Sequence, residues 1–321
     1  MLYQSTRGEK NKISSAEAIA CGLAGDGGLF VPESFPEITL EKITELIKES
    51  YYKKAAYIMG LFLGDFGESE LVSYSGAAYN TDGDNCFYSD KIAPLYQMDK
   101  NTHFLELWHG PTSAFKDMAL QVMPRLLTAA LRKTGETREV CVLVATSGDT
   151  GKAALEGFRD VEGTRVMVFY PKDGVSEVQK LQMTSQKGGN VNVTAVQGNF
   201  DDAQTGVKAI FSDVDIGNIL NKSGYILSSA NSINWGRLVP QITYYFSAYC
   251  DLVKDKKIKL GDKINFCVPT GNFGNILSAY YAEKMGLPVN KLICASNRND
   301  VLTQFISTGV YDKNRPFYTT V

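Results

Sequence analysis

The sequence holds only two histidines, His103 and His109, in 321 residues. That scarcity excludes a histidine-rich metal site, and no metal is expected. Six cysteines (Cys21, Cys86, Cys141, Cys250, Cys267 and Cys294) include no C-x-x-C pair, which removes the usual zinc and redox spacings. Cys141 and Cys267 sit inside apolar runs, so reduced, buried thiols in a cytoplasmic protein are expected. Long hydrophobic runs are missing too. VMVFY at 166–170 is far too short to span a bilayer, and the polar opening MLYQSTRGEKNK lacks the apolar stretch of a signal peptide. Basic clusters are absent. With a formal net charge of −2 and scattered Lys and Arg, neither nucleic acid nor a membrane surface is an expected partner. No internal repeat or low-complexity segment interrupts the chain.

What remains is a globular composition, 44% apolar and 21% charged, long enough for two or three domains. Residues 1–98 read as mostly helical. SSAEAIACGL, TLEKITELIKES and YKKAAYIMGLFLG carry helical apolar spacing, the first two with Ser or Thr at their starts. AGDGGLFVP at 24–32 reads as a loop. From about residue 99 short apolar runs alternate with amphipathic ones. HFLELW (103–108), REVCVLVA (138–145), TRVMVFY (164–170), NVNVTAV (190–196), YILSSA (225–230), KINFCVPT (263–270) and KLICAS (291–296) read as buried strands. Helices are expected between most of them, including 114–135, 201–213 and 236–253. The alternation predicts an α/β fold whose parallel sheets are covered on both faces. Ligands in such folds bind beyond the carboxyl ends of strands.

Four strand ends carry unusual residues. In HGPTSAFKD (109–117), Lys116 follows Phe115 and five small or turn-forming residues. A lysine on an ordinary helix face needs no such approach; one that reaches into a tight site does. A lysine amine becomes a nucleophile when an apolar, enclosed site depresses its pKa. PTGNFGNI (269–276) joins a strand to a helix. Gly271 and Gly274 free the backbone to turn its amides inward, and Asn272 and Asn275 add side-chain donors, which suits phosphate. A plain strand-to-helix turn would read the same way. Neither G-x-G-x-x-G nor G-x-x-x-x-G-K-[ST] spacing occurs there or at SGDTGKA (147–153). In TSGDTG (146–151) three hydroxyls, of Thr146, Ser147 and Thr150, surround Asp149; they suit a small anion or a helix cap. SSANSINWGR (228–237) brings Asn231 and Ser232 near Arg237, a fork for phosphate or carboxylate, or else a solvated loop arginine. A lysine plus a phosphate cradle is the minimum for pyridoxal phosphate. His109 reads as a supporting donor and His103 as the start of a strand.

In this order, HGPTSAFKDMALQ, ATSGDTGKAA, QGNFDDAQ, SANSIN and VPTGNFGN resemble threonine synthases of the bacterial and fungal type, which are pyridoxal-phosphate enzymes of the tryptophan-synthase-like fold. The likeness runs from AGDGGLFVP to SNRNDVLTQFISTG. It implies a mostly helical domain at 1–98 beside two three-layer parallel-sheet domains, a large cofactor-bearing one at 99–135 and 225–321 and a small mobile α/β one at 136–224. It also implies that Lys116 carries the cofactor as a Schiff base and that Gly271, Asn272, Phe273, Gly274 and Asn275 cradle its phosphate. Thr146, Ser147 and Thr150, with Asp149 among them, become substrate contacts. Asn231, Ser232 and Arg237 become ligands of a separate substrate phosphate. Plant-type relatives carry asparagine where Asp149 stands. Asparagine can donate to the cofactor's phenolate oxygen and an ionised aspartate cannot, so the role of Asp149 stays open. The implied reaction converts O-phospho-L-homoserine and water to L-threonine and phosphate, in a monomer or weak homo-oligomer. A phospho-lyase releasing 2-oxobutyrate, or a non-catalytic binder of phosphorylated ligands, remains an alternative. The last residues, YDKNRPFYTTV (311–321), are neither a helix end nor a capped strand, whereas family members continue to a hydroxyl that meets the pyridine nitrogen. Thr319 and Thr320 stand in the wrong context for it. A fragment incomplete at its carboxyl end, with weakened cofactor binding, is therefore expected.

Overall fold

A computed structural model describes residues 1–83, 86–312, 314–316 and 318. Thr319 and Thr320 lie outside the described residues. In the amino-terminal region the expected caps form. Ser14 accepts from the Glu17 amide at the start of helix Ser15–Cys21, and the Glu17 carboxylate accepts from the Ser14 amide. Thr39 caps helix Leu40–Leu46 in the simpler way. Helices Tyr51–Phe62 and Glu68–Ala78 pack against each other. The 24–32 stretch is a loop only in part, because Phe30–Pro32 pairs antiparallel with Tyr3–Ser5.

The larger sheet has four parallel strands in the order Val191–Val196, Thr164–Pro171, Glu139–Ala145, Tyr225–Ser229. Strand periodicity splits its central strand between two faces. Val140, Val142 and Val144 join Ala153, Ala154 and Leu155 of helix Asp149–Gly157 in the main core. Leu143 and Ala145 pack on Ala203 and Val207 of helix Phe200–Ser212. Tyr225–Ser229, expected in the large domain, hydrogen-bonds along Glu139–Leu143 and is built into this sheet. A second parallel pair, Ile264–Pro269 with Val289–Ala295, is connected by helix Gly274–Lys284. Covering on both faces does not extend to this pair. Asn265 and Cys267 are exposed on one face, while Val268 on the other is buried. Cys21 is exposed as well, and Cys250 is the buried cysteine among the described residues.

Two long helical runs break at prolines. The 114–135 run divides into Asp117–Leu120 and Met123–Lys133, with Pro124 in the first turn of the second, where its missing N–H costs nothing. The 236–253 run becomes Trp235–Leu238, a 3-10 turn Val239–Gln241 containing Pro240, and Ile242–Lys254. HFLELW is not a buried parallel strand: His103–Leu105 pairs in a short antiparallel hairpin with Leu95–Gln97, and Phe104 is exposed. An aromatic cluster of Tyr3, Phe62, Trp235 and Tyr281 ties the amino-terminal region to the rest, with Trp235 centroids 5.3–5.4 Å from the other three.

Candidate active site

The segment before Lys116 is wrapped around its neighbour Asp117. The buried Asp117 carboxylate accepts from the Thr112 amide and the Thr112 hydroxyl, both at 2.8 Å. Ser113 takes φ 55°, a conformation side chains seldom adopt, to close this loop. Gly110 has no Cβ because Asp117 occupies that space: an added Cβ would stand 2.5 Å from the Asp117 Cβ. Burial pushes the Asp117 carboxyl up to about 6 against the lowering effect of the Thr112 bonds. With Asp117 held inward, Lys116 turns outward. Its Nζ lies 4.5 Å above the Phe115 ring and donates to Asp149 Oδ2 at 3.1 Å. Burial favours the neutral form of Asp149. The Lys116 charge and the Gln179 amide, which donates to Oδ1 at 2.8 Å, outweigh it and hold the carboxyl below its usual range.

Lys116 opens into a cavity of about 280 Å³ that it shares with Gly271, Asn272, Gly274, Asn275, Ser232 and Arg237. Space beside Gly271 is open for 4 Å, so a ligand can approach the backbone there. Asn275 is fixed from behind: its Oδ1 accepts from Tyr244 at 2.5 Å and Tyr245 at 2.7 Å, which leaves its NH2 as the group it offers. Phe273 is partly exposed, and its side chain is not among the cavity's lining.

Arg237 is buried rather than a solvated loop residue. It donates to the Ala230 carbonyl at 2.8 Å and to the Thr150 hydroxyl at 3.5 Å. Among the described residues no carboxylate pairs with it, and burial pushes the guanidinium down to about 10. A buried cation whose partners are a carbonyl and a hydroxyl is set to take an anion.

A second cavity, of about 480 Å³, shares Arg237, Ser232 and Asn272 with the first and adds Thr146, Ser147, Thr150 and Asn231. The expected separation between cofactor and substrate phosphate ligands is therefore incomplete: Arg237 faces both spaces. Thr146 is also less available than its hydroxyl suggested. Its Oγ1 accepts from the Gly148 and Gly151 amides, each at 2.9 Å, and so shapes the turn. Asp149 lines neither cavity and reaches the site through Lys116. His109 bonds Glu106 at 2.7 Å and is likewise outside both linings. Sequence reasoning missed Gln179, Gln241 and Arg7. Gln241 follows Arg237 by one helical turn and donates to its carbonyl at 2.8 Å, a spacing visible in the sequence once Arg237 is singled out. Gln179 and Arg7 sit in no motif that marks them.

Two family models match the chain: "Threonine synthase N terminus" over residues 2–79 and "Pyridoxal-phosphate dependent enzyme" over 86–320. "Threonine synthase-like 1" of Homo sapiens is 44% identical over 94% of this chain and 42% of its own length. Threonine synthase of Pseudomonas aeruginosa is 43% identical over 98% of this chain and 64% of its own. The crystal structure of PLP-bound threonine synthase from Brucella melitensis superposes with a TM-score of 0.88 at 40% identity, covering 99% of this chain and 65% of that one. The chain thus spans between two-fifths and two-thirds of the length of these relatives. A lysine facing a glycine-bearing loop, on a chain matched from residue 86 to 320 by one family, places this protein among the pyridoxal-phosphate dependent enzymes, in their threonine synthase branch.

Proposed function

We propose that the chain converts O-phospho-L-homoserine and water to L-threonine and phosphate with pyridoxal phosphate as cofactor. The observation that carries this reading is the shared cavity: Lys116, the amide loop at 271–275 and the unpaired Arg237 border one space. That donor set fits the cofactor, an amine for its aldehyde and a glycine-bearing helix start for its phosphate. Lys116 would hold the aldehyde carbon; Gly271, Asn272, Gly274 and Asn275 would hold the phosphate, with Phe273 contributing backbone alone. When bound, the cofactor supplies an electron sink for charge released at the substrate's Cα.

The chain's own groups do the rest. Released by the incoming substrate amine, Lys116 takes the proton from Cα and one from Cβ, and returns protons to Cγ after the phosphate has left and to Cα after water has added at Cβ. Asp149, fixed by Gln179, keeps the Lys116 amine on the cavity side. Arg237, with Ser232 and Asn231, binds the γ-phosphate and stabilises it as it departs with the electrons of the Cγ–O bond. Ser147 and Thr150, at the start of helix Asp149–Gly157, orient the substrate carboxylate by their hydroxyls and by the helix-end amides. Thr146 holds the turn that presents them. Closure of the cleft around the bound substrate excludes water until phosphate has left, so that water enters at Cβ only afterwards.

The test is an assay of purified protein with pyridoxal phosphate and O-phospho-L-homoserine that follows threonine, phosphate and 2-oxobutyrate together. Threonine and phosphate in equal amounts are expected. Formation of 2-oxobutyrate and ammonia without threonine would identify a phospho-lyase instead, and binding without turnover would identify a non-catalytic binder.

A further inference from the structure

The opening STRGE and the loop AGDGGLFVP are folded into one unit. Asp26 gathers them: Ser5 donates to both of its oxygens, at 2.7 and 2.9 Å, and the Gly28 and Glu9 amides donate at 2.8 and 3.0 Å. Gly27, at φ 75°, leaves room for Arg7, whose Nη1 would stand 2.8 Å from a Cβ there. The Arg7 guanidinium lies over this glycine and donates to the Asp26 carbonyl at 3.2 Å. Helix Ser15–Cys21 locks the unit to the site, since its Ile19 and Ala20 carbonyls accept from Asn234 and Ser228. Arg7 and Gly27 then border the larger cavity. That cavity is lined by three basic side chains, Arg7, Lys208 and Arg237, and, among the described residues, by no Asp or Glu. A phosphate monoester carries about 1.5 to 2 negative charges at neutral pH, which the Arg7 and Arg237 guanidinium groups match.

We propose that Arg7 is a specificity-determining residue, a cation that the amino-terminal segment supplies to the phosphate of a phosphorylated amino-acid substrate. This rests on the function proposed above. Arg7 lines the larger cavity alone, whereas Arg237 also faces Lys116, so the amino-terminal segment selects for phosphate without touching the reacting carbon.

The experiment uses the cofactor-loaded protein and its R7Q and R7K variants. Gln retains a donor for the Asp26 carbonyl and removes the charge. Inorganic phosphate affinity is measured by calorimetry, KM and kcat with O-phospho-L-homoserine, and melting temperature and cofactor absorbance as controls. In R7Q, phosphate affinity should fall and KM should rise by about tenfold, with kcat nearly unchanged. R7K should recover most of both, and the controls should not move. Unchanged phosphate affinity in R7Q, a change confined to the controls, or no phosphate binding by the parent protein overturns the assignment. Failure of the parent protein to turn over O-phospho-L-homoserine counts against the proposed function, and the phosphate titration still decides the role of Arg7.

Discussion

Arg237 is a side chain whose stability and function pull in opposite directions. Its guanidinium is buried with a carbonyl and a hydroxyl for company and, among the described residues, no acid. Replacing a buried charge that no acid compensates by an apolar side chain of similar volume removes the desolvation cost of that charge. Arg237→Met should therefore unfold at equal or higher urea concentration. The same variant should lose phosphate-ester binding by roughly 2–5 kcal/mol and, because Arg237 faces both cavities, should weaken the cofactor as well. Urea titration and calorimetry check the two halves separately.

Asp117 gives a pH signature of known sign. Its folded-state pKa, raised to about 6 by burial, exceeds the ordinary aspartate value. The cost of ionising it is absent below the unfolded pKa and grows as pH rises toward 6. Asp117→Asn keeps an acceptor for the Thr112 amide and cannot ionise. Its stability relative to the parent should rise by on the order of 3 kcal/mol between pH 4 and pH 7. Urea unfolding of both proteins across that range checks it; a constant difference would show that Asp117 carries no such burden.

At the scale of elements, the start of helix Asp149–Gly157 is the most constrained point. Gly148 sits at φ 142°, and a Cβ there would meet Gln179 side-chain atoms at 2.4–2.6 Å. Gly148→Ala should cost about 1–3 kcal/mol from the backbone conformation alone and should also displace Gln179 from Asp149. Thermal melting measures the first effect and turnover the second. TSGDTG was legible as a special turn, because glycine and hydroxyl residues after an apolar run mark one. Its partner Gln179 was not, since a glutamine on helix Glu177–Thr184 carries no local signal of what it meets across the fold. The parallel strands at 139–145, 164–171, 191–196 and 225–229 were visible as apolar runs. HFLELW misled because a short run with four apolar residues, Phe104, Leu105, Leu107 and Trp108, satisfies a hairpin as well as a buried strand, and only pairing decides. Neither Pro124 nor Pro240 halts the chain's direction, so helices read as continuous are interrupted instead.

For the whole molecule, the site lies where two parallel sheets end. Residues 146–150 and 230–232 follow strands Glu139–Ala145 and Tyr225–Ser229, and residues 270–275 follow Ile264–Pro269. A ligand bound there joins both sheets, so it should raise the unfolding free energy of the chain as a unit. Cofactor at about a hundred times its dissociation constant stabilises by about 2.7 kcal/mol. A rise in melting temperature with pyridoxal phosphate that vanishes in Lys116→Ala is expected in a thermal-shift titration. The lysine and the amide loop were both legible in the sequence because each breaks its local pattern. Their convergence on Arg237 was not, because three segments more than thirty residues apart meet only in the fold.

The central claim is that Lys116 is the group that takes the cofactor. Borohydride reduction of the protein with pyridoxal phosphate, followed by peptide mapping, tests it most directly. The account predicts a single reduced label on Lys116, with the visible absorbance of the lysine-bound cofactor lost in Lys116→Ala. A label on Lys152 or Lys172 instead, or no label at all, would contradict it.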